Sequence, residues 1–244
     1  MSKIIGIIPA RYGSKRFPGK PLADIDGKSL LQRTYENAVR CKIFDELYVA
    51  TDDIRIAHHA EKFGAKAIMT SEMCPTGTER LVEALKSLKI TDDDPIIVNV
   101  QGDIPLLEPA VFKAVVKLLQ NHPLEVIATA VCPIESEAEA DDPHIVKCVL
   151  DKTGHAMYFS RSKIPYSPIE GCPRYHHLGI YAYRYEFIRH YAKLEPTPLQ
   201  RAEDLEQLKI LEHGFRIKAA LVQSGSFGID RPEDIEKMKQ VLWQ

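Results

Sequence analysis

Four cations and two glycines crowd into one short segment. It reads Ile8-Pro9-Ala10-Arg11-Tyr12-Gly13-Ser14-Lys15-Arg16-Phe17-Pro18-Gly19-Lys20-Pro21-Leu22 and directly follows the apolar run that starts at Ile4. A loop of this kind, placed beyond the carboxyl end of a strand, can present backbone N–H groups and point charges to phosphate oxygens. Such a loop suits a triphosphate. The better-known phosphate loops do not fit. A Walker loop needs G-x-x-x-x-G-K-[ST], but Gly13 and Gly19 are one residue too far apart and Pro21 stands where the magnesium-binding hydroxyl belongs. No G-x-G-x-x-G follows the strand either, and the bland alternative is a solvated basic turn.

Two aspartates follow glycines at the edges of predicted elements, where a carboxylate could meet a ligand. Asp103 closes the apolar run from Ile96 in the order Gln101-Gly102-Asp103, and Asp230 follows Gly228-Ile229 just before Pro232 and a helical pattern. Magnesium takes oxygen ligands, usually one or two carboxylates completed by water and phosphate. The competing readings are a turn aspartate for Asp103 and a helix N-cap for Asp230. Toward the end of the chain, Glu203, Glu206 and Gln207 have the spacing i, i+3, i+4, which on one continuous helix places them on a single polar face.

The elements that must carry these residues follow from apolar periodicity. Short, mostly β-branched runs at Ile4 to Ile8, Leu47 to Thr51, Ala65 to Met69, Ile96 to Val100 and Val126 to Val131 read as strands. Helical spacing occupies Ser29 to Cys41, Ile54 to Phe63, Gly77 to Leu88 and Pro109 to Asn121. Gly64 is a helix stop, and Thr76 with Glu79 has the pattern of a capping box. This alternation predicts an α/β fold, a mostly parallel sheet covered by helices. After about Pro133 the rhythm changes to strands at Val146 to Leu150, His155 to Ser160 and Leu178 to Tyr183, separated by turns and a proline-rich loop. That predicts a small antiparallel lobe at about residues 133–190 within one domain spanning 1–244. Helices at Leu199 to His213 and Pro232 to Leu242, with a strand at Ile217 to Val222 between them, complete the chain.

The cationic loop resembles the signature loop of the sugar nucleotidyltransferases. In detail it is similar to that of the 3-deoxy-manno-octulosonate cytidylyltransferase (CMP-Kdo synthetase) family, through Pro9-Ala10-Arg11-Tyr12, Ser14, Arg16 and Pro18-Gly19-Lys20-Pro21-Leu22. The likeness recurs at Tyr48-Val49-Ala50-Thr51-Asp52, Thr76-Gly77-Thr78-Glu79-Arg80 and Val98-Asn99-Val100-Gln101-Gly102-Asp103. Further matches are Tyr158-Phe159-Ser160-Arg161, His177-Leu178-Gly179-Ile180-Tyr181, Leu205-Glu206-Gln207-Leu208 and the segment from Gly228 to Asp234.

The resemblance implies a Rossmann-like nucleotidyltransferase fold and transfer of CMP from CTP to the acidic sugar Kdo, with release of pyrophosphate, for lipopolysaccharide biosynthesis. It implies that Asp103 and Asp230 hold Mg2+, and that Arg11, Ser14, Arg16 and Lys20 bind the triphosphate, with Arg16 and Lys20 steadying the departing pyrophosphate. Pro9, Ala10, Gly77 and Arg80 would lie against the nucleotide. Arg161, His177, Tyr181, Glu203, Glu206 and Gln207 would receive the sugar, with Gln101 touching either substrate. A homodimer formed through the antiparallel lobe is also expected. One departure is Ile104, where the family usually has glutamate after the metal aspartate; the loop from Ile164 to Arg174 is also short. Two alternatives stay open: a cytidylyltransferase for another acidic sugar, of the sialic acid or amino-Kdo type, and a non-catalytic nucleotide-sugar sensor.

Composition narrows the remaining possibilities. With 32 basic and 34 acidic side chains among 244 residues, the chain lacks the cationic excess of a nucleic-acid-coating or membrane-surface protein. No apolar run approaches the roughly 18 residues of a membrane span, and the first residues read as a strand and not as a signal peptide. Five scattered cysteines, at 41, 74, 132, 148 and 172, suggest neither a disulfide framework nor a zinc site, so a reducing cytoplasm is expected.

Overall fold

The computed structural model describes residues 2–14, 17–91, 94–169, 171–223, 228–229 and 231–242. Within the last of these ranges the side chains are described as far as residue 240. The elements, in order, are β1 (Ile4–Ala10), β2 (Asp24–Ile25), β3 (Lys28–Ser29), α1 (Leu30–Arg40), β4 (Glu46–Thr51), α2 (Ile54–Lys62), β5 (Lys66–Met69), α3 (Gly77–Lys86), β6 (Ile96–Asn99) and α4 (Pro109–Asn121). Then come β7 (Ile127–Pro133), α5 (Glu137–Asp141), β8 (Lys147–Leu150), β9 (Ala156–Ser160), β10 (Tyr175–Arg184), α6 (Tyr185–Tyr191), α7 (Pro198–Glu203), α8 (Glu206–Glu212), β11 (Lys218–Leu221) and α9 (Glu233–Leu242). The chain divides into two compact units, Met1–Ala110 with Ser226–Gln244, and Val111–Gly225.

The first unit is built on four parallel strands in the order β6-β1-β4-β5. Strands covered on both faces read as continuous apolar runs, and Ile5, Ile7, Ile8, Val49, Ile97 and Val98 are all buried. From β1 the chain winds outward through β4 to β5, then crosses back to β6 on the other side of β1. A parallel sheet opens a crevice at such a reversal, beyond the carboxyl ends of its strands.

Local chemistry delimits the helices. Ser29, Asp53 and Thr76 each accept a backbone N–H at the start of α1, α2 and α3, and Gly64, at φ +84°, ends the turn after α2. The buried stripe of α1 comprises Leu30, Leu31, Thr34 and Ala38. This helix also holds the loop after β6. Thr34 Oγ1 lies 3.2 Å from the Gly102 carbonyl, and Asn37 donates to the Leu107 carbonyl at 2.7 Å.

The sequence pattern missed the β2–β3 hairpin, although Asp26-Gly27 is a hairpin turn signal and both residues have positive φ. The hairpin has a positioning role. Ile25 and Leu30 form a small buried core with Ile229 and Met238, joined by Phe17, Leu106 and Ile235. That core anchors the returning chain close to the loop that follows β1.

The second unit pairs β11 parallel to β7, β7 antiparallel to β10, β10 antiparallel to β8 and β8 antiparallel to β9. Two further helices, α5 and α6, went unread in the sequence.

The continuous helix expected at Leu199 to His213 is overturned. It is broken at Asp204, which adopts a left-handed conformation at φ 52°, ψ 51°, so that α7 and α8 are separate. Two causes are visible. Leu205 is buried at the break, and Arg161 captures the carbonyls on both sides, with Nε donating to Glu203 at 2.8 Å and Nη2 to Asp204 at 3.3 Å. The helical spacing of Glu203 with Glu206 and Gln207 therefore does not place the three on one face.

Gly102 is required by packing. A Cβ there would stand 2.8 Å from the backbone carbonyl of Pro9, so glycine permits the close approach of β1. Gly102→Ala is expected to lower stability by about 1–3 kcal/mol, the usual cost of forcing an extra methyl into a packed site. Denaturant unfolding without nucleotide checks this; an unchanged midpoint would contradict it.

Candidate active site

In the first unit, the carboxyl ends of β1, β4 and β6 bring the polar residues together. The loop after β1 folds back on itself, with the N–H groups of both Ser14 and Gly19 donating to the Tyr12 carbonyl at 2.9 Å. Gly19 takes φ +70°, a left-handed conformation that glycine adopts without steric cost, and a Cβ there would press on the Tyr12 ring. Arg55 stacks over that ring, its guanidinium carbon 3.6 Å from the ring centroid. Arg11 is exposed, and its nearest polar contact, to the Pro75 carbonyl, is a long 3.5 Å. Ser14 Oγ accepts from the Phe17 N–H at 3.4 Å. Arg16 lies outside the described residues.

Lys20 is the residue on which this half of the site converges. Its ammonium donates to Asp103 Oδ2 and to the Ile229 carbonyl, each at 2.8 Å, while the Ile229 N–H donates to the Asp103 carbonyl at 2.8 Å. Three segments far apart in sequence are thereby tied at one point: the cationic loop, the end of β6 and the residue immediately before Asp230. Asp230 itself lies outside the described residues. The Lys20 and Asp103 side chains retain 15% and 33% exposure, so the pair is open enough to exchange partners. Asp103 Oδ2 already holds a cation, and a carboxylate oxygen is the donor that Mg2+ prefers, so Asp103 fits a magnesium ligand.

The α3 end of the site is a rigid support. Gly77 sits against Pro9, a Cβ there meeting the proline ring at 3.4 Å. Arg80 is only 2% exposed, a buried residue although it lies on a helix. Its guanidinium donates to Asp52 at 2.7 Å, to the Thr70 hydroxyl at 2.7 Å and to the Ser71 carbonyl at 3.3 Å. Asp52 also accepts weakly, at 3.4 Å, from the Tyr12 N–H, linking α3 to the cationic loop. Sequence reasoning gave Asp52 no role; its place just beyond a parallel strand, where ligands bind, was the available signal. Gln101 follows β6 in this same unit and is partly buried.

The second unit carries its own polar cluster around β10. His177 is buried and Tyr181 nearly so, with ring centroids 5.4 Å apart. Burial pushes the His177 imidazole down to about 3, so the ring is neutral at physiological pH. Burial, with Tyr183 and Glu206 nearby, raises Tyr181 well above the usual phenol range. The Tyr181 hydroxyl is buried without a hydrogen-bond partner among the described residues. Such an orphaned hydroxyl is costly unless a polar ligand completes it. Gln207, on the first turn of α8, is 6% exposed. Glu203 is differently employed: its two carboxylate oxygens accept from the Ser160 hydroxyl at 2.6 Å and the Arg161 N–H at 2.9 Å. Arg161 directs its guanidinium to the carbonyls of Glu203, Asp204 and Pro143.

Residues 5–218 match the family model described as cytidylyltransferase. A 3-deoxy-manno-octulosonate cytidylyltransferase of Protochlamydia amoebophila is 52% identical, over 98% of this chain and 94% of the relative. An 8-amino-3,8-dideoxy-manno-octulosonate cytidylyltransferase of a Shewanella species is 47% identical, over 98% of each chain. Among solved structures, a CMP:2-keto-3-deoxy-manno-octonic acid synthetase complexed with CTP superposes with a TM-score of 0.93 at 39% identity, covering 100% of this chain and 99% of the other. A parallel sheet with its cationic loop beyond β1, matched along almost its whole length by these enzymes, leaves one conclusion: the chain belongs to the cytidylyltransferase family.

Proposed function

We propose that this protein transfers CMP from CTP to 3-deoxy-manno-octulosonate, forming CMP-Kdo and pyrophosphate and so activating the sugar for lipopolysaccharide biosynthesis. The observation that carries the reading is the meeting of Lys20, Asp103 and Ile229 beside the loop after β1. A nucleotide-only sensor has little use for a leaving-group cation and a metal-type carboxylate held at one point, which favours the enzyme over that alternative.

The sugar's 2-hydroxyl oxygen attacks the α-phosphorus in line. The bond from phosphorus to the bridging oxygen breaks, pyrophosphate departs with that electron pair, and the hydroxyl proton passes to solvent. Positioning and charge neutralisation supply the rate enhancement, with no covalent enzyme intermediate. Lys20 and, by family resemblance, Arg16 neutralise the charge that grows on the leaving pyrophosphate. Arg11 and Ser14 complete the phosphate contacts, while Pro9, Ala10, Gly77 and Arg80 form the wall against the nucleoside. Asp103 and Asp230 would hold Mg2+, which when bound offsets phosphate charge.

For the sugar, neutral His177 and the Tyr181 hydroxyl, which has no partner among the described residues, offer hydrogen bonds to sugar hydroxyls, with further contacts from Glu206 and Gln207. Gln101 would touch either substrate. Arg161 and Glu203 act on the sugar through the α7–α8 break that they hold.

No described helix is long and apolar enough to cross a membrane. We place the reaction in the cytoplasm, carried out by a homodimer. The proline-rich loop, with Tyr166 89% and Ile169 72% exposed, suits burial against a second copy of the chain.

Release of pyrophosphate measured with CTP, ATP, GTP and UTP, each with Kdo and magnesium, tests the reading. CTP is expected to be strongly preferred, and no release with any nucleotide would revive the sensor. Kdo and its 8-amino analogue compared side by side would settle which sugar is native. Asp103→Asn should lower turnover about a hundredfold at saturating magnesium, roughly 3 kcal/mol of transition-state stabilisation; near-normal turnover would contradict the role given to Asp103.

The pH behaviour follows from His177. Its folded value lies below the ordinary 6.5, so its contribution to stability is complete above that value and is lost as pH falls toward 3. Between pH 7 and 5 the ring stays neutral, and the KM for the sugar should show no inflection from it. A step near pH 6.5 that vanishes in His177→Asn would contradict this.

A further inference from the structure

β10 does not run in simple register along β7. His177 faces Val131 and Tyr181 faces Thr129, so Leu178, Gly179 and Ile180 together oppose the single residue Ala130. Gly179 takes φ +69° within this bulge. Bulges re-aim side chains and interrupt the ladder, which leaves a carbonyl in need of a donor. Thr129 meets that need. Its hydroxyl, fully buried, lies 2.7 Å from the Ile180 carbonyl and 2.9 Å from His177 Nε2.

Counting protons decides the direction of both contacts. The threonine hydroxyl has one hydrogen, and the Ile180 carbonyl can only accept, so that hydrogen lies between the two oxygens. Toward His177 the hydroxyl has only a lone pair left. Nε2 must therefore donate, and in a neutral ring the proton on Nε2 leaves Nδ1 as an acceptor.

We infer that Thr129 is a positioning residue that locks His177 in the Nε2–H tautomer, so that Nδ1 accepts a hydrogen bond from a substrate hydroxyl and rejects an analogue lacking it. Phe159 supports the arrangement with an edge contact to the imidazole, centroids 4.8 Å apart. The buried, uncharged state of the ring agrees with it, since an imidazolium would donate from both nitrogens. The sequence held no hint of this, because a threonine in the run Ile127 to Cys132 reads as an ordinary β-branched strand residue.

The inference rests on the proposed sugar-binding role of His177, but its first test does not. Histidine-selective 15N labelling of the whole protein, with the His177 signals assigned through His177→Asn, should show a protonated Nε2 and an unprotonated Nδ1. Thr129→Val should lose that bias and raise the KM for Kdo about tenfold, the size of one neutral hydrogen bond, leaving the KM for CTP unchanged. Thr129→Ser should restore both. A wild-type spectrum with the proton on Nδ1 overturns the inference, as does Thr129→Val with an unaltered KM for the sugar. Should Thr129→Val fail to fold, the wild-type spectrum and Thr129→Ser decide. Absence of turnover in the wild type would count against the functional reading alone, and the spectrum would still decide the tautomer.

Discussion

A single ammonium group organises the loop side of the first unit. Lys20 reaches the Asp103 carboxylate and the Ile229 carbonyl at once, and the Ile229 N–H closes the figure on the Asp103 carbonyl. A partly exposed ion pair contributes little to stability, so the arrangement is better understood as preorganisation. It fixes the cationic loop against the end of β6 and brings the chain's return alongside. The supporting contacts serve the same end: Gly102 lets β1 and the loop after β6 touch, Thr34 and Asn37 hold that loop from α1, and the core of Ile25, Leu30, Ile229 and Met238 seats the returning segment. Electrostatic catalysis depends on charges that are in place before the reaction and need no rearrangement during it.

The sugar site proposed for the second unit poses a different problem. A polyhydroxylated substrate would call for neutral donors and acceptors, held rigidly in a buried setting. The β10 bulge supplies the geometry, Thr129 occupies the gap in the ladder, and burial keeps His177 uncharged. Arg161 and Glu203 work one layer further out, where they hold the chain in the turn that starts α8 at Glu206 and buries Gln207.

Much of this was legible before any coordinates. Parallel strands buried on both faces leave long β-branched runs, and capping residues such as Thr76 and Gly64 mark helix ends through local hydrogen bonding, so the α/β rhythm could be read directly. The cationic loop and Asp103 stood out by residue type and order, and the fold brings Lys20 of that loop onto Asp103. The broken helix at Asp204 was not, since the break is enforced by Arg161, some forty residues away, and by burial of Leu205. Asp52 and Thr129 went unseen for the same reason. Each acquires its role from a partner that only the fold supplies, Arg80 in one case and a bulge carbonyl in the other.

We propose the Lys20–Asp103 pair as the seat of the triphosphate and its metal. A crystal structure with CTP and magnesium bound tests this most directly. The Asp103 carboxylate should point at the metal beside the phosphates, with the Lys20 ammonium against phosphate oxygens. A triphosphate bound elsewhere, with the Lys20–Asp103 contact intact and remote from it, would rule that seat out.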